Sequence, residues 1–224
     1  MKMSSRNVQP PGSAPRDALV LGLLGLAAAA LLTLVFELTR APVQRTQQRV
    51  AEAELLTVVP GYTRAADPTL DVVEVPARFR TGLGLESDAR VHRVRQGERI
   101  LAVVVPVTSA QGYGGAIRLI VGIDRTGTVT GVKVLEHRET PGLGDRIDPA
   151  RSDWIARFTG TSLGDPAPER WQVQRDGGAF DQISGATISS RAVVRAVRHA
   201  LDYFHDDQVR LLDPASSPSQ TETP

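Results

Sequence analysis

Cysteine is absent from the 224 residues, which excludes disulfides, thiol nucleophiles and cysteine-ligated iron–sulfur clusters. The same absence makes an oxidising compartment harmless to the chain without requiring one. Lysine is nearly absent too: of 26 basic residues only Lys2 and Lys133 are not arginine, a skew that reflects base composition rather than phosphate recognition. Charge of one sign is not in surplus. The 26 basic residues face 25 acidic ones for a net of +1, so nucleic acid is not the expected partner. The histidines, His92, His137, His199 and His205, include no pair spaced for two ligands on one helical turn, and a metal site has little support. Gly82-Leu83-Gly84 and Gly112-Tyr113-Gly114-Gly115 lack the full dinucleotide fingerprint, which places nicotinamide binding elsewhere.

What is present begins with one apolar run. Residues 1–17 are polar and proline-rich, after which Ala18 to Phe36 carries no charge. A helix of that length spans roughly 28 Å, close to a bilayer core, so residues 18–38 are read as a single transmembrane helix. The run is longer than a signal-peptide core, and Glu37 and Arg40 follow it without a clean cleavage site. Lys2, Arg6 and Arg16 before the helix balance Arg40, Arg45 and Arg49 after it, so charge does not orient it. Residues 39–98 are expected to hold a stalk helix over Gln44 to Val59, ended by Pro60-Gly61, and the start of the soluble domain. Residues 99–212 form the main domain. Its β-branched runs Ile100 to Ala110, Gly115 to Asp124 and Thr128 to His137 predict strands, with Arg125-Thr126-Gly127 as a hairpin loop. Pro149 to Phe158 predicts a short helix and Ser189 to Phe204 an amphipathic one. The fold class is therefore α+β, an antiparallel sheet covered by helices. The tail at 213–224 has the composition of disorder.

The most informative stretch runs from Asp176 to Phe204. Within it Ser184-Gly185-Ala186-Thr187 is a small-residue, hydroxyl-bearing loop that feeds directly into the amphipathic helix. A helix N-terminus presents unpaired N–H groups and the positive end of the macrodipole, which stabilise a phosphate. Gly185 and Ala186 leave the Thr187 hydroxyl open to a modifying enzyme. Local chemistry equally allows Ser184 or Thr187 to be a simple helix cap. A second segment, Val134 to Asp148, places Pro141, Gly142 and Gly144 in a turn poor in side chains, where backbone can approach a flat ligand closely. There Glu139 and Thr140 offer a carboxylate and a hydroxyl to a ligand's polar edge, and Leu143 offers an apolar contact. Taken alone, the segment also fits an ordinary strand-ending turn with a solvated glutamate. Trp154 and Trp171 are read as core residues.

The sequence DQISGATISS resembles the flavinylation motif of the bacterial FMN-binding domain family, in which an acidic residue precedes Ser/Thr-Gly-Ala-Thr. The matching positions are Asp181, Ser184, Gly185, Ala186 and Thr187. VLEHRETPGLGDRID, with Glu139, Thr140, Gly142, Leu143 and Gly144, resembles a second loop of that family. With the apolar helix ahead of both, nearly the whole chain is similar to the G subunits of Rnf-type electron-transport complexes. The resemblance implies FMN joined by a phosphodiester to Thr187, placed there by a separate flavin transferase of the ApbE type that consumes FAD and releases AMP. It further implies an electron-carrying subunit rather than a stand-alone enzyme. Its partners would be the other subunits of an ion-translocating membrane complex, with lipid contact through the N-terminal helix. The implied location is the bacterial inner membrane, single-pass, with the soluble domain on the periplasmic side. Three alternatives stay open: the C subunit of a sodium-translocating NADH:quinone reductase, a membrane-anchored FMN sensor, and a scaffold in which the Ser-Gly-Ala-Thr loop only caps a helix.

Overall fold

The computed structural model describes residues 19–33, 55–60, 69–86 and 88–216. Residues 1–50 and 51–224 form separate compact units. In the first, residues 19–33 are helical and exposed throughout. Residues 18 and 34–38 of the expected membrane span lie outside the described residues, and among the described residues no helix is long and apolar enough to cross a membrane. Most of the expected stalk, residues 44–54, lies outside them as well.

The second unit is built on a five-stranded antiparallel meander in simple order. Its strands are β1 (Thr69–Glu74), β2 (Arg90–Gln96), β3 (Arg99–Ser109), β4 (Ile117–Asp124) and β5 (Val129–Glu136). A short helix, α1 (Ala77–Leu83), joins β1 to β2, and one long helix, α2 (Thr187–Leu211), packs on the sheet. The three strands expected from β-branched runs are present with slightly different ends. β1, α1 and β2 were not anticipated, because Arg90–Gln96 carries only Val91 and Val94, three residues apart among long polar side chains, and so shows neither strand alternation nor a continuous apolar run.

Strand periodicity explains the two faces. On β3, Val103, Val105 and Val107 enter the main core beneath α2, while Ala102 and Val104 face the opposite side. On β4, Ile117, Leu119, Val121 and Ile123 face the main core and Ile120 faces the other side. Side chains alternate across a strand, so a central strand covered on both faces must be apolar at nearly every position. Leu55, Leu56, Val58 and Val59 cover the second face. The Thr130 hydroxyl donates to the Val58 carbonyl at 2.6 Å, fixing that cover to β5.

The β4–β5 loop follows from Asp124, whose Oδ1 accepts the N–H of Thr126 at 2.8 Å and of Thr128 at 3.0 Å. α2 is longer than the expected Ser189 to Phe204. Its buried stripe continues through Phe204 and Asp207 to Leu211. The far end is held by Arg93, a fully buried arginine on β2 whose Nη1 donates to the Asp213 carbonyl at 2.8 Å and whose Nε meets Asp71 at 2.6 Å. Buried guanidinium groups are tolerated when several acceptors satisfy them. The chain then forms a turn at Pro214–Ser216, where the Ser216 hydroxyl accepts from Arg93 at 2.7 Å; residues 217–224 lie outside the described residues.

The segment expected as a helix over Pro149 to Phe158 is helical only from Asp153, as a 3₁₀ turn of six residues. Ser152 sets its start by accepting the Trp154 N–H at 3.2 Å. Trp154, Phe158, Phe180 and Trp171 then form one aromatic cluster, with successive ring centroids 5.5, 4.9 and 4.9 Å apart. Both tryptophans are buried, as read from the sequence. On α2 itself, burial pushes the Tyr203 phenol above its ordinary pKa and keeps it protonated.

Candidate functional site

Three chain segments distant in sequence meet at the N-terminus of α2. They are the glycine-rich loop after β3, the turn after β5 and the loop that opens the helix. The first two are joined through Glu139, which is 5% exposed. Its carboxylate accepts the backbone N–H of Gly114 at 3.0 Å and of Tyr113 at 3.3 Å, and it also accepts the Ser189 hydroxyl. Glu139 is thus neither solvated nor free to serve a ligand with both oxygens, because protein donors already occupy them. The approach is close enough to require small residues. A Cβ on Gly144 would stand 2.8 Å from the Glu139 Cβ, and one on Gly114 would stand 1.8 Å from the Arg138 carbonyl.

The turn after β5 is closed by the Leu143 N–H, which donates to the Thr140 carbonyl at 3.2 Å. Pro141 and Gly142 occupy its centre, with Gly142 at φ +78°, the arrangement of a type II turn. Leu143 is thereby held over the third segment, where a Cβ on Gly185 would lie 3.0 Å from its Cδ2. Gly185 itself has φ +80°, and the Ala186 N–H closes that turn onto the Ile183 carbonyl at 3.0 Å.

Hydroxyl groups in this third segment fall into two kinds. Ser189 and Ser190 are buried. Ser189 serves Glu139, while Ser190 accepts the Ile183 N–H at 3.0 Å and donates to the Ala186 carbonyl at 3.0 Å. Ser184 is exposed and Thr187 half-buried. The helix cap is Ala186, and no side chain caps the helix. The capping role open to Ser184 and Thr187 on local chemistry is therefore not the one they take. Asp181 is exposed and pairs with Arg157 at 2.7 Å, while its carbonyl accepts the Trp154 indole N–H at 2.7 Å. These contacts anchor the loop to the 3₁₀ turn at Asp153–Phe158.

Above the three segments opens a cavity of about 490 Å³ lined by Glu139, Thr140, Leu143, Gly144, Gly185, Ala186 and Thr187, a volume in the range of small-ligand sites. Of the sequence-derived candidates, Asp181, Ser184 and Gly142 do not line it. Four further lining residues, Tyr113, Arg175, Ile188 and Ser189, were not singled out from the sequence. The glycines at 112, 114 and 115, read only as an incomplete dinucleotide fingerprint, could have pointed to close backbone approach near Tyr113, whereas no sequence signal marks Arg175. Three large apolar side chains at the cavity are exposed: Tyr113 at 71%, Ile188 at 47% and Leu143 at 45%. Exposed apolar groups gathered around one concavity form a surface suited to a flat, partly apolar ligand. A larger cavity, about 740 Å³, lies against Arg90, His92, Pro106 and Arg118, and none of residues 139–144 or 184–187 lines it. Among the described residues no group of three or more histidine, aspartate or glutamate side chains is arranged to hold a metal ion.

Nearby, Arg191 grips Asp176 with two contacts of 2.6 Å. That hydrogen bonding, chiefly, holds the Asp176 carboxyl below its ordinary pKa.

A cavity at a helix N-terminus, with a half-buried threonine and exposed apolar side chains, fits an FMN-binding domain, whose family model matches residues 112–202. Every residue lining the cavity falls within that range. The chain is 43% identical over 199 residues to the G subunit of the ion-translocating oxidoreductase complex of Pseudomonas aeruginosa, covering 89% of this chain and 92% of that protein. It is 40% identical to the corresponding G subunit of Cereibacter sphaeroides over 92% of this chain and 94% of that protein, and 37% identical to that of Shewanella loihica over 92% and 97%. This chain belongs to the family of G subunits of ion-translocating oxidoreductase complexes.

Proposed function

We propose that the protein carries electrons through FMN esterified to Thr187, as a membrane-anchored subunit of an ion-translocating oxidoreductase complex. The observation that carries the site assignment is the division of labour among hydroxyls. Ser189 and Ser190 are buried and engaged, whereas Thr187 lines the cavity and makes no side-chain hydrogen bond among the described residues. Ser184 is exposed but does not line the cavity. FMN supplies one- and two-electron redox chemistry, and the chain contributes position, exposure and electrostatics.

The residues present fit that group. The uncapped first turn of α2 offers backbone N–H groups to a phosphate. Tyr113, Leu143 and Ile188 offer apolar surface to a planar ring. Asp181, tied to Arg157 and Trp154, holds the loop in place so that Thr187 is presented. A threonine hydroxyl is a weak nucleophile near neutral pH, so its activation belongs to a separate flavin transferase of the ApbE type. In that step the Thr187 oxygen bonds to the flavin-side phosphorus of FAD. The pyrophosphate P–O bond breaks, AMP leaves, and the hydroxyl proton passes to a base of the transferase.

The helix expected over residues 18–38 serves as the anchor, and the domain from residue 99 to residue 212 stands on the periplasmic side, where a covalent bond prevents loss of the flavin. Electrons pass between neighbouring redox subunits of the complex. The test is in-gel flavin fluorescence after denaturation, on full-length protein from a host that expresses the transferase. Wild type and Ser184→Ala fluoresce and Thr187→Ala does not. A dark wild type, under conditions that flavinylate a known substrate, overturns the proposal and returns the loop to a structural role.

A further inference from the structure

We propose that Arg175 is the counter-charge of the phosphodiester at Thr187, pairing its guanidinium with the two non-bridging oxygens. The inference rests on the flavoprotein reading above and adds a binding residue to it. Arg175 and Thr187 line the same cavity of about 490 Å³, and of the residues lining it Arg175 is the one cation and Glu139 the one acid.

Both carboxylates near the Arg175 guanidinium are engaged by other groups. The adjacent carboxylate, Asp176, is taken by Arg191 through two contacts of 2.6 Å. Glu139, the acid in the cavity, is satisfied from within by the N–H groups of Tyr113 and Gly114 and by the Ser189 hydroxyl. Among the described residues Arg175 has no side-chain ion pair, and it is exposed. Its backbone, by contrast, is fixed. The Arg175 N–H donates to Gln182 Oε1 at 3.2 Å, and the Gly177 N–H closes the turn around it onto the Gln174 carbonyl at 2.9 Å. A fixed backbone that carries an unpaired guanidinium at the edge of a cavity is preorganised for an anion that arrives later.

The chemistry of that anion follows from the neighbours. A phosphodiester carries one negative charge and two equivalent oxygens, which the planar fork of a guanidinium matches bidentately and a lysine ammonium meets as a point charge. The first turn of α2 contributes N–H groups to the same oxygens. Arg175 thus balances a charge that the helix terminus alone would leave partly uncompensated.

The test is phosphorus NMR of full-length, flavinylated protein in detergent. Wild type is compared with Arg175→Gln, Arg175→Lys and, as a control outside the cavity, Arg195→Gln. The phosphodiester resonance shifts in Arg175→Gln, shifts less in Arg175→Lys and stays in place in Arg195→Gln. The initial rate of flavin attachment falls roughly tenfold in Arg175→Gln, the scale of one charge-assisted contact, and recovers in part with lysine. An unmoved resonance in flavinylated Arg175→Gln overturns the inference while leaving FMN on Thr187 intact. If Arg175→Gln folds but accepts no flavin, Arg175→Lys decides: recovery supports a charge role, and failure of lysine as well overturns it. A wild type without FMN overturns both this inference and the reading beneath it.

Discussion

The Ser189 hydroxyl donates to the Glu139 carboxylate across 50 residues of sequence. That contact ties the first turn of α2 to the loop after β5, and the same carboxylate reaches back to Gly114 on the loop after β3. Glu139 therefore holds together the three walls of the cavity. Its value lies in being satisfied. A buried carboxylate with three protein donors costs little to keep and much to remove, since each abandoned donor is left without a partner.

Replacing Glu139 with alanine strips acceptors from Tyr113, Gly114 and Ser189 at once. The expected loss is about 3–5 kcal/mol of stability, together with loss of flavin attachment. Glu139→Gln retains one acceptor oxygen and is expected to lose about half as much. Denaturant titrations of the full chain in detergent, followed by tryptophan fluorescence, measure both.

Gly114→Ala tests the packing of the same junction by a different route. The added methyl would fall 1.8 Å from the Arg138 carbonyl, a backbone atom that no rotamer change can move aside. The loop must shift, at a cost of about 1–3 kcal/mol or more. Because Tyr113 moves with it, flavin attachment drops although Thr187 is untouched. Attachment at the wild-type rate together with unchanged stability contradicts the described loop.

At the opposite end of α2, Arg93 binds Asp71 and the Asp213 carbonyl from a fully buried position. Arg93→Met removes that set of contacts and is expected to destabilise by about 3–5 kcal/mol. Its signature is regional. Hydrogen exchange accelerates first in the last turns of α2 and at Pro214–Ser216, while the Ser189 turn stays protected until global unfolding.

The Asp176 carboxyl titrates below the ordinary 3.8 because Arg191 hydrogen-bonds its charged form. With the native pKa depressed below the unfolded one, the pair's contribution is present above the ordinary carboxylate pKa and is lost as pH falls through the lower native value. Arg191→Gln is expected to return Asp176 toward the ordinary value, which a carboxyl-carbon NMR titration would read directly. An Asp176 that already titrates normally beside Arg191 contradicts the two 2.6 Å contacts.

How far the sequence could be read depended on range. β3, β4 and β5 announced themselves because valine and isoleucine recur in runs, and α2 did so because its apolar stripe keeps helical spacing. β1 and β2 stayed hidden because strands such as Arg90–Gln96 are held by long-range pairing and the buried Arg93, whose partners no local window contains. The site divides the same way. Thr187, Gly185, Leu143 and Gly144 were legible from two local motifs, and the structure brings all four to one cavity. Glu139 was legible as important but not in its role, since the donors that saturate it lie 25 and 50 residues away. Arg175 carried no local signal, because its availability depends on what Arg191 does to its neighbour.

The most direct test of flavin attachment at Thr187 is tandem mass spectrometry of the tryptic peptide Asp176 to Arg191 from flavinylated full-length protein. That peptide holds four hydroxyls, at Ser184, Thr187, Ser189 and Ser190. We predict an FMN phosphodiester on Thr187 and on no other residue of the peptide. An unmodified peptide, or flavin on Ser184 or either buried serine, would contradict the assignment.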